Sequence, residues 1–334
     1  MDPLSDALHL ARFTGAAFLE ARFTAPWAVR SRMPGTSRPQ AKHLVHYHLI
    51  TEGRCMAALP GEEPVWLEAG DLILFPRGEQ HELASAIGLP TVPADDLIGP
   101  VAMQAHRLEY GGGGSPTRML CGFLSCDPHV CKPMLAALPR MMRIQAGTGH
   151  FAAWYECALQ YTQNGSIVTQ PGGAAVIAKL AEILFVEAVR RYIDALPPDQ
   201  QGWLAGLRDP SIGRALALMH DQPAHPWTVD ELGRQVAMSR SSLAMRFTQV
   251  LGQPPMAYLA AWRMRLAAQM LIADEQPIVR IAEETGYESE SSFNRAFKRS
   301  YGIPPATFRR EHSRSRMPQP ARTHRAAFDG AAVH

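Results

Sequence analysis

Two groups of mostly polar side chains, fifty residues apart, have types and spacing that suit contacts with DNA. Arginine can donate two hydrogen bonds to guanine, asparagine can pair with adenine, and serine or lysine suits bases or phosphates. In each group the side chains lie off the apolar stripe of a short helix. The first group is Arg240, Ser242, Met245, Arg246 and Gln249, and the second is Glu290, Ser291, Asn294, Arg295 and Lys298. These types predict two helices that enter DNA grooves, although a solvated helix face is the alternative for any single residue.

The elements that must position these side chains occur twice in the sequence. Residues 239–247 align with residues 289–297 at an offset of fifty. In both copies a short helix with apolar spacing precedes a tight turn, and Ser239 or Ser289 then supplies a side-chain oxygen that caps a second helix. Two copies at so long a period indicate a duplicated supersecondary unit. We therefore predict a double helix-turn-helix over Thr228–Arg310.

This part of the chain resembles the AraC/XylS-type bacterial transcription regulators. The resemblance rests on the two serine-capped helices, the long connecting helix Met256–Leu271, and the segments Ile281–Ala282, Gly286–Tyr287, Phe293–Lys298, Gly302–Pro305 and Phe308–Arg309. It implies two helix-turn-helix subdomains joined by one rigid helix, with two recognition helices in successive major grooves about 34 Å apart. It also implies double-stranded promoter DNA and RNA polymerase as partners.

A cysteine-rich stretch is the second candidate for chemistry. Cys121, Cys126, His129 and Cys131 lie within eleven residues, and such groups can bind zinc or sense oxidants and electrophiles. The spacing is not that of a recognised zinc knuckle, and Cys121 and Cys126 would point to opposite faces of one straight strand. Buried thiols that act as small apolar side chains are therefore the favoured interpretation.

Short apolar runs separated by Gly and Pro turns begin at His43 and indicate strands of a barrel or jelly roll. Residues 40–85 of this region resemble the cupins. The matching residues are His46, His48, Glu52 and Gly61 in their first motif, and Gly70, Pro76, Gly78 and His81 in their second.

In metal-dependent cupins the three histidines and the glutamate hold a divalent metal, so the resemblance implies that His46, His48, Glu52 and His81 could do so here. Imidazole and carboxylate suit Zn, Fe, Ni or Mn, and alternation puts His46 and His48 on one face of a strand. The alternatives are that Glu52 is a turn residue before Gly53, that His81 caps a strand, and that the barrel is a binding cup without metal.

Composition and charge limit the classes of protein. The 334 residues are 46% hydrophobic and 19% charged, which is ordinary for a globular chain. With no run of eighteen apolar residues and no basic-then-apolar N-terminus, we expect neither a membrane helix nor a signal peptide. Five cysteines, an odd number, fit a reducing cytoplasm better than a disulfide framework. The net charge is −3 for residues 1–205 and +5 for residues 206–334, and the latter suits a phosphate partner.

We predict an α+β multidomain chain. Its parts are a cupin-like β jelly-roll sensor domain (1–140), a helical dimerisation and linker segment (141–205), an AraC-type double helix-turn-helix domain (206–312) and a disordered tail (313–334). Helices are expected at about 149–163 and 172–195. The second has an apolar face that would be left bare in a single chain, so a homodimer is expected.

Two functional hypotheses remain. The first is a one-component transcription regulator, whose sensor domain binds a small-molecule or metal effector and whose second domain binds a promoter. The alternative is a metal-dependent cupin enzyme, a dioxygenase or isomerase, fused to a DNA-binding domain. The duplicated DNA-binding motif favours the regulator, since no acid/base constellation is evident beyond the four barrel residues. We therefore expect no enzymatic activity.

Overall fold

The structure is a computed structural model of the chain. The residues that it describes are 2–31, 43–98, 107–145, 152–153, 156, 171–197, 199–273 and 275–314. The predicted helix at 149–163 and the predicted tail therefore lie almost wholly outside the described residues. Within the described part, β-structure fills the N-terminal domain and helices fill the C-terminal domain, so the predicted fold class is confirmed. None of the described helices is both long enough and apolar enough to span a bilayer.

The N-terminal domain is built from two β-sheets. Its strands are β1 (Thr14–Thr24), β2 (Ala28–Arg30), β3 (His43–Glu52), β4 (Arg54–Ala58), β5 (Val65–Glu68), β6 (Asp71–Phe75), β7 (Glu82–Ala84), β8 (Val92–Pro93), β9 (Arg107–Gly111), β10 (Pro116–Cys126) and β11 (Met142–Gln145). The six-stranded sheet has the order β11-β6-β3-β10-β1-β9, and the five-stranded sheet has the order β5-β4-β7-β2-β8. Because β11 pairs with β6, the sheet extends past the domain boundary predicted at residue 140.

Alternation along the central strand β3 decides which side chains face the barrel interior. Tyr47 and Leu49 pack in the apolar cluster under the surrounding helices, whereas Ile50 belongs to the cluster between the sheets. His46 and His48 share the inner side with Ile50, because side chains two residues apart point the same way.

Helices cover the outer face of the six-stranded sheet. They are α1 (Pro3–Ala11), α3 (Pro128–Ala136) and α4 (Gly173–Asp194), while the short α2 (Ala94–Leu97) follows β8. The apolar face of α4, which includes Leu184, Phe185 and Val189, is buried in the same cluster as Leu49. This face is thus covered by the chain's own barrel and is not the bare surface that the sequence predicted.

The C-terminal domain is helical. Its elements are α5 (Trp203–Arg208), α6 (Pro210–Asp221), α7 (Val229–Gln235), α8 (Arg240–Leu251), α9 (Pro255–Ala273), α10 (Ile278–Glu284), α11 (Glu290–Tyr301) and α12 (Pro305–Arg314). The pairs α7–α8 and α10–α11 are the two helix-turn-helix units. Each has its own core, the first around Phe247 and the second around Phe293 and Phe297, and these side chains are fully buried.

Helix α9 belongs to both cores. Its first half places Tyr258 and Trp262 in the first core, and its second half places Met264 and Leu271 in the second. Its 19 residues span about 28 Å. Since both ends are buried, α9 holds the two units at a fixed separation.

The turns of the two units use a left-handed residue after the first helix. Gly286 has φ +79° in the second unit, where an added Cβ would lie 2.9 Å from backbone atoms of Ala224. The corresponding residue of the first unit is Ala237, with φ 57°. An L-residue with a Cβ is strained in this region, at roughly 1–2 kcal/mol.

The interpretation of the cysteine-rich stretch as buried thiols is wrong for Cys126 and Cys131, because these two residues form a disulfide. Cys126 ends β10, and α3 turns back immediately, which brings the two Cα atoms to 6.4 Å. That distance lies within the range that disulfides require. Spacing along the sequence could not reveal this turn.

Replacing Ala237 by Gly should raise the free energy of unfolding by about 0.5–1 kcal/mol. Relief of left-handed strain outweighs the greater freedom of glycine in the unfolded chain. Urea unfolding followed by far-UV circular dichroism measures the change. As a matched control, Ala244→Gly inside α8 should lower stability by about 1 kcal/mol. A glycine at 237 that fails to stabilise would contradict the strain.

Candidate functional site

The two recognition helices present the predicted DNA-contacting side chains outwards. Eight of the ten are exposed, and Ser242 and Asn294 are partly buried. Ser239 and Ser289 cap α8 and α11 by accepting hydrogen bonds from the backbone N–H groups of Ser242 and Ser292, both at 3.2 Å. The caps therefore fix the start of each recognition helix next to its exposed face, here called the reading face, which carries the predicted DNA contacts.

Met245 is the most unusual member of this set. Its side chain is 70% exposed, although burying an apolar side chain of this size stabilises the folded protein. An apolar group at the centre of a recognition helix can contact the methyl group of thymine. Its exposure is consistent with a surface that a partner covers.

Two of the predicted arginines already have partners within the domain. Arg246 Nη2 lies 2.6 Å from Asp209 Oδ2, and Asp209 also caps α6 through its other oxygen. Arg295 Nη1 donates to Ser291 Oγ at 2.8 Å, one turn earlier on the same helix. The carboxylate holds Arg246 against α6, whereas Arg295 is tied only to another side chain of its own reading face.

Arg263, on α9, links the two helix-turn-helix units. Its Nε and Nη2 donate to the carbonyl oxygens of Pro223 and His225, at 2.6 and 2.8 Å, in the loop before α7. Its guanidinium carbon would lie 2.9 Å from a Cβ on Gly286, in the turn of the second unit. One partly buried side chain thereby contacts both units and supports their fixed separation.

Three histidines lie close together between the sheets of the barrel. His46 and His48 come from β3, and His81 precedes β7 in the opposite sheet. His48 Nε2 and His81 Nε2 are 2.8 Å apart, and the His46 and His81 ring centroids are 5.5 Å apart. His81 is 1% exposed and stacks on Phe75 with ring centroids at 3.7 Å.

Cys121 completes this group. It lies directly opposite His48 in the pairing of β10 with β3, and its Sγ is 3.0 Å from His48 Nδ1. A continuous hydrogen-bonded path therefore runs from Cys121 through His48 to His81, whose Nδ1 lies 3.0 Å from the carbonyl oxygen of Glu79.

One arrangement of protons along this path satisfies the carbonyl of Glu79. His81 Nδ1 lies 2.9 Å from the hydroxyl oxygen of Ser31 as well as 3.0 Å from this carbonyl. Since a carbonyl can only accept, a bond to Glu79 makes Nδ1 the donor, and Nε2 then accepts from His48 Nε2. In a neutral ring, His48 Nδ1 must then accept, and the Cys121 thiol is the donor to it. In this arrangement the path is neutral and Cys121 is a thiol.

Burial keeps the whole group uncharged. It lowers the pKa of His46 to about 4 and the pKa of His81 to about 3. Burial, followed by the neighbouring His81 and His46, also lowers the pKa of His48 well below its usual range, and burial raises the pKa of the Cys121 thiol. Neutral imidazole can accept a hydrogen bond or bind a metal.

The fourth predicted metal ligand, Glu52, does not join the histidines. It ends β3, four residues and about 13 Å along the strand from His48, and its Oε2 accepts from Arg118 Nε at 2.9 Å. The structure thus brings His46, His48 and His81 together and leaves Glu52 outside them. The ring nitrogens of His48 and His81 bond to each other, and His46 Nδ1 is buried without a hydrogen-bond partner. A metal site formed by all four residues therefore stays a prediction.

The three cysteines of the cysteine-rich stretch also serve separate roles. Cys121 faces the barrel interior, whereas Cys126 and Cys131 are bonded to each other in the cluster on the opposite side of the sheet. They do not form one site. The pairing of Cys121 with His48 gave no signal in the sequence, because strand register cannot be read from it. Asp209 before Pro210 could have been found, since this pair is typical of a helix start.

Comparison with known proteins gives two family matches. Residues 2–194 match the family described as cupin, and residues 232–311 match the helix-turn-helix domain family. The first match covers the β-sheet domain, and the second covers most of the helical domain.

Several relatives match nearly the whole chain. An AraC-like transcription regulator of Streptomyces antibioticus is 33% identical over 315 residues, 93% of this chain and 99% of the relative. The transcriptional regulator AlkR of Acinetobacter baylyi is 30% identical over 93% of this chain and the full length of AlkR. The RCS-specific transcriptional activator RclR of Escherichia coli is 31% identical over 80% of this chain and 84% of RclR.

The neutral histidines predict a loss of stability in acid. Because their folded pKa values lie below 6.5, the unfolded chain takes up more protons as the pH falls from 6.5 towards 4. The free energy of unfolding should therefore fall over this range, by up to about 1.4 kcal/mol per pH unit for each histidine. The double variant His46→Gln/His81→Gln should show a shallower fall in urea titrations of metal-free protein. Parallel pH profiles for the two proteins would contradict the buried neutral state.

Proposed function

The chain belongs to the AraC-like transcription regulators, and from that premise we propose that a ligand in its cupin barrel controls how its two recognition helices bind promoter DNA. The DNA-binding part follows from the family and the double helix-turn-helix. The observation that most supports the control is a shared core. Leu10 and Val130, from the helices of the barrel domain, are buried in the core of the first helix-turn-helix unit.

The fixed arrangement of α8 and α11 supports simultaneous binding to two grooves. Groove repeats lie about 34 Å apart on one face of the duplex, and the single helix α9, about 28 Å long, is packed into the cores of both units. With the net positive charge of this half of the chain, the arrangement fits a bipartite site on double-stranded DNA.

A buried contact at the domain junction supports the link to the barrel. His220 on α6 stacks on Trp262 with ring centroids at 3.6 Å, and its Nδ1 lies 3.6 Å from Asp6 Oδ2 on α1. Burial lowers the pKa of His220 to about 3. A ligand that favours one packing of α1 against this junction shifts DNA binding by its difference in affinity for the two packings.

The chemistry of the barrel supports a small-molecule effector. His46, His48, His81 and Cys121 offer neutral donors and acceptors among apolar side chains, which is typical of ligand pockets. Since Glu52 pairs with Arg118, a metal effector finds only the three imidazoles there. We favour a small organic molecule recognised by hydrogen bonds to neutral imidazole.

The remaining partners are also proposals. A regulator of promoters acts on RNA polymerase and works in the cytoplasm, where bacterial DNA lies. Val176 and Ile183, on the outer side of α4, are 41% and 37% exposed, and they offer an apolar contact for a homodimer. We propose no enzymatic activity, because Glu52 pairs with Arg118 and not with the barrel histidines, and because the relatives are regulators.

Replacing Arg295 by Ala should weaken specific promoter binding by about 1–3 kcal/mol and relax the base preference at one position, because this guanidinium lies on the exposed reading face. Fluorescence anisotropy with a promoter fragment and with scrambled DNA measures both effects. The control Arg280→Ala removes an arginine that pairs with Glu283 on α10, and it should leave specific binding within about 0.5 kcal/mol of wild type. Equal affinities for the Arg295 variant and wild type would refute the assignment.

The double variant His46→Gln/His81→Gln should lose the response to the effector and retain promoter affinity in its absence, because the barrel histidines and the recognition helices α8 and α11 belong to different domains. The measurement is promoter binding across a panel of small organic molecules and divalent metal ions, with wild type as reference. A response that persists unaltered in the double variant would remove these histidines from effector recognition.

A further inference from the structure

A separate group of metal-binding side chains lies where the barrel domain meets the second helix-turn-helix unit. Asp127 and His129, at the start of α3, face His312 at the end of α12, and one ligand atom of each lies within 4.8 Å of those of the others. Across the part of the chain that the structure describes, no other trio of His, Cys, Asp or Glu brings its ligand atoms so close. These residues are not the histidines of the barrel interior.

The start of α3 holds the first two residues in place. Asp127 Oδ1 accepts from the backbone N–H of His129 at 2.9 Å as the cap of α3. Its second oxygen, Oδ2, is left to face His312 Nε2 at 3.8 Å. The disulfide between Cys126 and Cys131 brackets this segment and limits its movement.

His312 is oriented as metal-binding histidines usually are. Its Nδ1 donates to the carbonyl oxygen of Phe308 at 2.8 Å, so in the neutral ring Nε2 carries the lone pair that faces Asp127. Metal-binding histidines almost always donate their other ring N–H to such an acceptor, which fixes the tautomer and the ring plane. The ring also stacks on Phe308 with centroids at 4.1 Å.

His129 connects this group to the second unit. Its ring packs edge-on against Tyr301 of α11, against Phe308 and against His312, with centroids at 5.9, 5.3 and 5.3 Å. Phe308 in turn packs on Phe297 in the core behind the second recognition helix. An ion held here would thus tie α3 to the element that supports α11.

We propose that Asp127, His129 and His312 bind a divalent transition metal of the zinc type and so clasp the barrel domain to the second helix-turn-helix unit. Two imidazoles and a carboxylate are among the ligands that zinc prefers, and a fourth position stays open to water. Ligand atoms about 2.0–2.1 Å from zinc in a tetrahedral site lie about 3.3 Å from one another. The observed 3.8 Å between His312 Nε2 and Asp127 Oδ2 closes to that value by a small side-chain rotation.

The clasp gives the protein a second input that does not depend on the barrel effector. The strand β10 carries Cys121 at the barrel site, and it leads directly into Asp127 and α3. A metal at the clasp therefore fixes the end of the same strand that contacts the barrel site. It favours the docked arrangement, in which α8 and α11 keep their reading faces exposed.

The test is a Zn²⁺ titration of the full-length protein in competition with a chromophoric chelator. All proteins carry His46→Gln/His81→Gln, so that the barrel cannot contribute. We expect one Zn²⁺ per chain, with affinity lowered at least about tenfold, the loss that even outer-shell changes cause, by Asp127→Asn, His129→Gln or His312→Gln. Asp127→Asn retains a good helix cap, and His129 is exposed, so these variants separate metal binding from folding.

The matched control is His225→Gln. His225 pairs with Glu231 at 2.9 Å outside the group, so its loss should leave Zn²⁺ affinity unchanged. Zn²⁺ affinity that is the same in the three site variants as in their parent would overturn the proposal, as would the absence of any bound Zn²⁺ in the parent.

A second measurement tests whether the bound ion joins the two domains or only occupies a site on one of them. Hydrogen–deuterium exchange with and without Zn²⁺ should show slower exchange in both α3 and α12 of the parent, and in neither helix of the His312→Gln variant. Protection confined to α3 would show that the ion does not join the domains and would refute the clasp.

Discussion

The burial of one helix in two hydrophobic cores is the constraint on which the DNA-binding half depends. Tyr258 and Trp262 fill the first core, and Leu271 fills the second. Burying side chains of this size stabilises by roughly 1.5–3 kcal/mol each, so neither end of α9 can detach without a large loss of free energy. Arg263 adds hydrogen bonds to the loop before α7. The two recognition helices are therefore one rigid reading surface.

The barrel domain is joined to this surface through its own helices. Leu10 of α1 and Val130 of α3 are buried in the core of the first unit, while His129 contacts aromatic rings of the second. A change at the barrel site can reach both units through the strand β10 and the helix that follows it. This contiguity gives the proposed effector control a physical route, because an effector acts only by favouring one of two packings.

The features that the sequence predicted well depend on local patterns. Ser239 and Ser289 are helix caps, and the apolar spacing around Phe247 and Phe297 marks one helix face, so the double helix-turn-helix follows from short segments. Gly and Pro turns likewise indicated the strands of the barrel. The contacts that the sequence did not predict are between residues far apart in the chain. The pairing of Glu52 with Arg118, the contact of Cys121 with His48 and the approach of His312 to Asp127 depend on strand register or on domain packing. The disulfide at Cys126 depends on how sharply α3 turns back.

The most direct test of the account is the spacing of the DNA site. In vitro selection from random duplexes yields the preferred bipartite site, and the affinity of the full-length protein is then measured after 5 base pairs are inserted between the two halves. Half a helical turn moves the second groove to the opposite face of the duplex. If α9 holds α8 and α11 rigidly, affinity should fall to that for a single half-site. An affinity unchanged by the insertion would contradict the rigid reading surface.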